Sequence, residues 1–140
     1  MATVLGRLGS SHVLVVHGED GLDELTLSGA TFVCELRGGK VRNYRITPEE
    51  AGLERAPRAS VRGGTPADNA RTMLTVFEGR SGPLRDIVLL NAGAALVVGG
   101  AAQSIAEGVV LAGGLIDTGE AGRVAERFVA ATNRLALAAT

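Results

Sequence analysis

Several common kinds of chemistry have little to work with in this sequence. Cys34 is the only cysteine, so no internal disulfide can form, which suits a reducing cytosol. Lys40 is the only lysine beside 13 arginines, so any reaction that needs a lysine has a single candidate. There is no tryptophan, and aromatic content is 3%, which leaves little to stack on bases or sugars. Neither sign of charge dominates. A net charge of -1 argues against a nucleic-acid binder that works through a basic surface. No apolar run is long enough to span a membrane. The longest, IVLLNAGAALVVGGAA from Ile87 to Ala102, is shorter than the roughly 20 residues required. Asn91 and several glycines interrupt it, so it reads as a buried helix with no membrane partner. The opening stretch MATVLGRLGSS has no apolar h-region, so no signal peptide is read there.

What remains is ordinary globular material. The chain has 140 residues, one domain's worth. It is 46% hydrophobic and 21% charged, enough to bury a core. The first residues suggest the tail of a helix, with Val4, Leu5 and Leu8 on one face and Gly9 as the stop. His12 to Val16 is a continuous apolar strand, the pattern of one buried on both faces at the centre of an α/β sheet. Its C-terminal end runs into a turn with four carboxylates, Glu19, Asp20, Asp23 and Glu24. Open α/β sheets bind their ligands at that end of a strand. Charge runs more often simply face water, so composition alone leaves this turn as a solvated loop or a divalent-metal site.

Leu25 to Ser28 reads as a short strand. Ala30 to Arg37 alternates, and Gly38-Gly39 turns the chain into a return strand from Val41 to Ile46, a hairpin by its turn chemistry. A long connection, TPEEAGLERAPRASVRGG, follows over residues 47–64. Four helices come next. The first is capped at Thr65 with Asp68 three residues on, and carries Ala70, Met73, Leu74 and Phe77 on one face. The second starts at Pro83, and the third at Ser104 with Glu107 as a capping partner. The fourth runs from about Glu120 with Val124, Phe128, Ala131 and Leu135 on one face. The expected fold class is α/β, with about four strands followed by about four helices.

Three ordered pieces carry a family resemblance: VLVVHGEDGLDEL at residues 13–25, RGGTPADNA at 62–70 and GPLRDIVLLNAGAAL at 82–96, followed by EGV at 107–109 and IDTG at 116–119. Together they resemble the C-terminal part of the anthranilate phosphoribosyltransferase family, the tryptophan-pathway branch of the nucleoside-phosphorylase-like phosphoribosyltransferases. The resemblance implies a transferase that joins anthranilate to the ribose of phosphoribosyl pyrophosphate and releases pyrophosphate. It implies Mg2+ as cofactor, held by Asp23 and Glu24, and a cytoplasmic location. Magnesium suits such a pair, since it is commonly held by one or two carboxylates plus substrate phosphates. The match departs from the family at Thr65, where Asp is usual, and at Asp68, where Glu is usual.

The family's Gly-rich pyrophosphate loop, its Lys-His-Gly-Asn stretch, its anthranilate-gripping arginine and its N-terminal helical domain have no counterpart in these residues. Residues 1–140 are therefore expected to form the C-terminal half of a phosphoribosyltransferase α/β domain, part of a longer enzyme and inactive alone. A half-domain with an unpaired strand is expected to associate through its exposed edges, as a homo-oligomer or otherwise. Two other readings remain: a related phosphoribosyltransferase or nucleoside phosphorylase with another acceptor, and a non-catalytic scaffold or oligomerisation module indifferent to magnesium.

Individual residues divide similarly. Glu19 and Asp20 read as supporting or solvated groups. His17 is a weak candidate substrate contact; its bland alternative is a histidine that bonds the turn's backbone. Gly18 and Gly21 are expected to supply positive φ, Cys34 to be buried and inert, and Lys40 to be solvated. Arg85, Asp86 and Asn91 are expected to serve helix-end electrostatics and packing. No residue is assigned as catalytic.

Overall fold

The computed structural model describes residues 1–138. A short helix, α1 (Ala2–Arg7), precedes three strands: β1 (His12–Gly18), β2 (Thr31–Arg37) and β3 (Lys40–Ile46). Both pairings are antiparallel, in the order β1-β2-β3. Gly38 and Gly39 both have positive φ, as a two-residue type I′ turn requires, and they set Arg37 opposite Lys40. Four helices follow: α2 (Pro66–Phe77), α3 (Pro83–Val98), α4 (Ile105–Asp117) and α5 (Glu120–Ala138). None among the described residues is long and apolar enough to cross a membrane.

The register puts Leu14, Val16, Val33 and Ile46 on one sheet face, which turns toward the helices. Leu36 belongs to the other face and packs under α1, where a Cβ on Gly6 would meet its side chain at 2.9 Å. The core lies between the sheet and the α3–α4 pair, with Leu90, Ala94, Val109 and Ala112 at its centre. Those two helices cross on glycines. A Cβ on Gly93 would sit 2.8 Å from the Val109 backbone nitrogen, so only glycine allows this approach.

Two expectations need correction. The sheet has three strands, not four. Leu25 to Ser28 is irregular because other groups take its backbone. Leu25 N–H donates to Asn91, Thr26 N–H to the Thr31 hydroxyl, and Ser28 N–H to the Thr26 hydroxyl. The apolar strand β1 lies at the sheet edge, paired only with β2 among the described residues. It is half-buried rather than enclosed on both faces, so its continuous apolar run reflects α3 on one side and α1 on the other. The outer edge of β1 borders an apolar groove formed by Leu14, Val16, Leu25, Ala94, Ala95 and Val98.

The helix signals hold with differences in detail. Thr65 and Asp68 make a full capping box. Ser104 caps α4, but the Glu107 carboxylate accepts from Gln103 N–H rather than from the cap residue. Met73 and Leu74 stand 55% and 60% exposed, so the expected apolar face of α2 is not the face that packs; Val76 is its buried residue.

Candidate metal site at the acidic turn

The acidic turn begins where β1 ends and is tied down by its own backbone. Gly18 N–H donates to Leu22 O at 2.8 Å, Gly21 N–H to Gly18 O at 2.9 Å, and Glu19 N–H to Ala30 O at 2.9 Å. Gly21 supplies the left-handed residue, at φ 85°. Gly18 does not; it is glycine for room. A Cβ there would meet Asp20 Oδ1 at 2.6 Å and the Thr26 side chain at 3.0 Å.

The four carboxylates separate into different roles. Asp20 turns inward and organises the loop. Its Oδ2 accepts from Ser28 Oγ at 2.7 Å and Thr26 Oγ1 at 2.9 Å, and its Oδ1 accepts from Leu22 N–H at 3.2 Å. Burial pushes its pKa up. The bonds from Ser28, Leu22 and Thr26 and the charge of Arg58 outweigh that and hold the carboxyl below its usual value. Arg58, from the long connection, also donates to Asp20 O at 2.8 Å, so the connection drapes back onto the turn. The Glu19 side chain lies over Gly29, where a Cβ would meet its Oε1 at 2.7 Å.

Asp23 and Glu24 are exposed, and no hydrogen bond or ion pair among the described residues engages either side chain. The residue after them is held firmly. Leu25 N–H donates to Asn91 Oδ1 at 3.0 Å, and Asn91 Nδ2 donates to Leu25 O at 3.1 Å. No group of three or more His, Cys, Asp or Glu side chains converges as a metal cage among the described residues. The donor set is therefore two hard carboxylate oxygen donors on one turn. This suits magnesium, which completes its shell with water and phosphate, and does not suit a zinc-type cage.

His17 is exposed and its ring makes no hydrogen bond among the described residues, so the expected side-chain bond to the turn's backbone is not made. The histidine with a partner is His12, whose Nε2 lies 3.1 Å from Glu35 Oε1. Glu35 also accepts from Arg42 Nη2 at 2.8 Å. Burial raises the Glu35 pKa, but the bonds from Arg42 and His12 prevail and hold it below the usual value. The two-glycine hairpin puts Glu35 directly opposite Arg42, so that pair was readable from the turn alone. Asn91 gave a plainer signal, as the lone polar side chain in the apolar stretch from Ile87 to Val98. Arg85, held 2.8 Å from Asp117, links the start of α3 to the end of α4. Cys34 is half-buried with a free thiol, and Lys40 is exposed.

Known proteins resemble this chain over most of its length. The chain is 53% identical over 135 residues to an anthranilate phosphoribosyltransferase of Symbiobacterium thermophilum, covering 96% of this chain and 40% of that protein. It is 52% identical to the enzyme of that name from Paramagnetospirillum magneticum, over 96% of this chain and 39% of that protein. The chain thus spans about 40% of the length of the curated relatives it matches. Among solved structures, anthranilate phosphoribosyltransferase from Thermus thermophilus superposes with a TM-score of 0.81 at 46% identity, covering 90% of this chain and 37% of that one. A Saccharomyces cerevisiae anthranilate phosphoribosyltransferase in complex with PRPP and Mg superposes with a TM-score of 0.78 at 25% identity, covering 86% of this chain and 35% of that one. The sequence profile of the glycosyl transferase family, a/b domain, matches residues 1–122, and the chain belongs to that family.

Proposed function

We propose that this chain contributes the magnesium-binding carboxylates and much of the scaffold of a transferase that moves phosphoribosyl from phosphoribosyl pyrophosphate to anthranilate, releasing pyrophosphate, in tryptophan biosynthesis. The observation that carries this reading is the exposed Asp23–Glu24 pair, free of partners among the described residues, on a turn whose other groups are tied down. Magnesium bound there supplies positive charge against the pyrophosphate as it departs. The chain's own residues hold that charge in place: Asp23 and Glu24 offer the oxygens, and Asp20, Thr26 and Ser28 keep the loop from collapsing onto them. The single cysteine, Cys34, is consistent with work in the cytoplasm.

The test is a chimera. The matching 135-residue segment of the Symbiobacterium thermophilum relative is replaced by this chain, and loss of anthranilate fluorescence is followed at varied magnesium. The chimera is expected to turn over. Asp23→Asn and Glu24→Gln should each slow it about 100-fold, the scale for removing one pre-placed electrostatic group, and raise its magnesium requirement. Unchanged magnesium dependence in both variants rejects the assignment. The chain by itself should leave anthranilate fluorescence untouched; a robust magnesium-dependent loss would refute the view that the pyrophosphate loop and acceptor contacts lie outside residues 1–140.

We further propose that these residues act as the C-terminal part of a larger α/β domain, with further strands beside β1. The free outer edge of β1 and the apolar groove between it and α3 support this, since an unpaired edge is a template for another strand. Light scattering of the isolated chain should report self-association. A clean monomer with a cooperative melt would count against this reading.

A further inference from the structure

The side chain that grips the acidic turn most specifically is 66 residues from it in sequence. Asn91 sits on α3, flanked by the buried Leu89, Leu90, Gly93 and Ala94. Its carboxamide is used three ways. Oδ1 accepts from Leu25 N–H at 3.0 Å, while Nδ2 donates to Leu25 O at 3.1 Å and to Ile87 O at 3.0 Å. An amide offers a donor and an acceptor side by side, and so can match both main-chain groups of one residue.

The grip falls at a telling place. Leu25 N–H belongs to the peptide unit that Glu24 begins, and that unit is planar. Fixing it fixes the direction in which the chain leaves Glu24, with Asp23 one residue further back. Leu25 itself is buried, so without Asn91 its N–H and C=O would be left without partners in the core. The support behind Asn91 is rigid. Gly93, two residues along α3, lies against the α4 backbone at Val109, closer than any other residue allows. Arg58 holds the turn at Asp20 O, five residues before Leu25. A turn held at both points fixes the backbone from which the two exposed carboxylates project.

We propose that Asn91 is the positioning residue for the Asp23–Glu24 pair: its two-bond hold on Leu25 presets the carboxylates for a divalent cation. This rests on the reading of that pair as the magnesium site. It makes Asn91 more than a satisfied polar group in a helix. A residue that only completed the hydrogen bonding of the core would change stability and leave cation binding alone.

The experiment is a manganese titration of the full 140-residue chain, following paramagnetic broadening of its backbone amide signals. In the parent chain, broadening should centre on Asp23 and Glu24 and be lost in Asp23→Asn and Glu24→Gln. Asn91→Ala should require about tenfold more manganese for the same broadening, the lower end of what supporting residues contribute to metal affinity, while the β2–β3 hairpin signals keep their positions. Asn91→Ser, which keeps a hydroxyl but not the two-bond hold, should shift the midpoint in the same direction. It decides alone if Asn91→Ala does not fold. Unchanged manganese midpoints in the folded Asn91 variants, whatever their melting temperatures, overturn the positioning role and leave the metal site standing. Broadening that never centres on Asp23 and Glu24 in the parent chain overturns the metal reading, and the positioning role with it.

Discussion

Helix α2 and the loop between β1 and β2 divide regularity and burial between them. α2 has every local sign of order: a threonine cap, proline in the first turn and a reciprocal capping box, yet Val76 is its one buried residue. The loop has no repeating structure, yet Leu25, Thr26 and Leu27 within it are almost wholly enclosed. The helix satisfies its backbone from within. The loop satisfies much of its backbone with side chains: Asn91 from α3, Thr31 from the start of β2, and its own Asp20. A segment tied down by distant side chains can be both irregular and fixed, which suits a site that must show carboxylates to solvent without letting them wander.

The largest test of that contrast removes the platform. Gly93→Ala would drive a methyl into the α4 backbone, where nothing flexible can yield. We expect it to cost about 3 kcal/mol, the upper range for overpacking, and to expose Leu25 N–H to hydrogen exchange along with α3. Leu27→Ala comes next. Leu27 is 1% exposed, and its truncation should cost about 3 kcal/mol. Met73→Ala on α2 should change stability by less than about 0.5 kcal/mol. Urea melts of the two variants compare them directly. Equal losses would mean that α2 is packed as tightly as the loop.

Acid sharpens the comparison. The folded Asp20 pKa lies below its ordinary value, so Asp20 takes up protons more readily in the unfolded chain. Its contribution is complete above the unfolded value of roughly 4, and it is lost as pH falls through the lower folded value. Glu35 acts with the same sign in the sheet. Asp20→Asn should therefore flatten the acid limb of a stability-against-pH curve, and Glu35→Gln should flatten it further. A limb unchanged by Asp20→Asn would mean that the loop holds without that charge.

How much the residues disclosed in advance follows the same division. The helices of the C-terminal half and the glycine hairpin rest on local patterns, and the structure has them; the choice of Asp23 and Glu24 among the turn's four carboxylates came instead from the family resemblance. The loop does not announce itself. Leu25 to Ser28 has the composition of a strand, and side chains, Asn91 from far along the chain and Thr31 and Thr26 from nearby, turn it into something else. Gly18 looked like a turn glycine, but it is needed because Asp20 and Thr26 crowd it. The edge position of β1 was hidden for a related reason. A continuous apolar run measures how much of a strand is covered, and helices cover it as well as strands do.

The smallest expected effect lies at the cap of α2. Thr65 accepts the Asp68 N–H, and the Asp68 carboxylate accepts in return from the Thr65 backbone. The bonds from Thr65 hold the Asp68 carboxyl below its usual pKa. Both groups are exposed, so water replaces most of what is lost. Thr65→Ala should cost about 1 kcal/mol. Because α2 buries so little, the loss should appear as fraying of its first turn rather than as unfolding of the chain. Amide exchange should quicken at Asp68 and Asn69, while Leu25 and Thr26 keep their protection. If protection at Leu25 fell with it, the helix and the loop would be one cooperative unit, and the acidic turn would depend on α2 through a coupling beyond the direct hydrogen bonds.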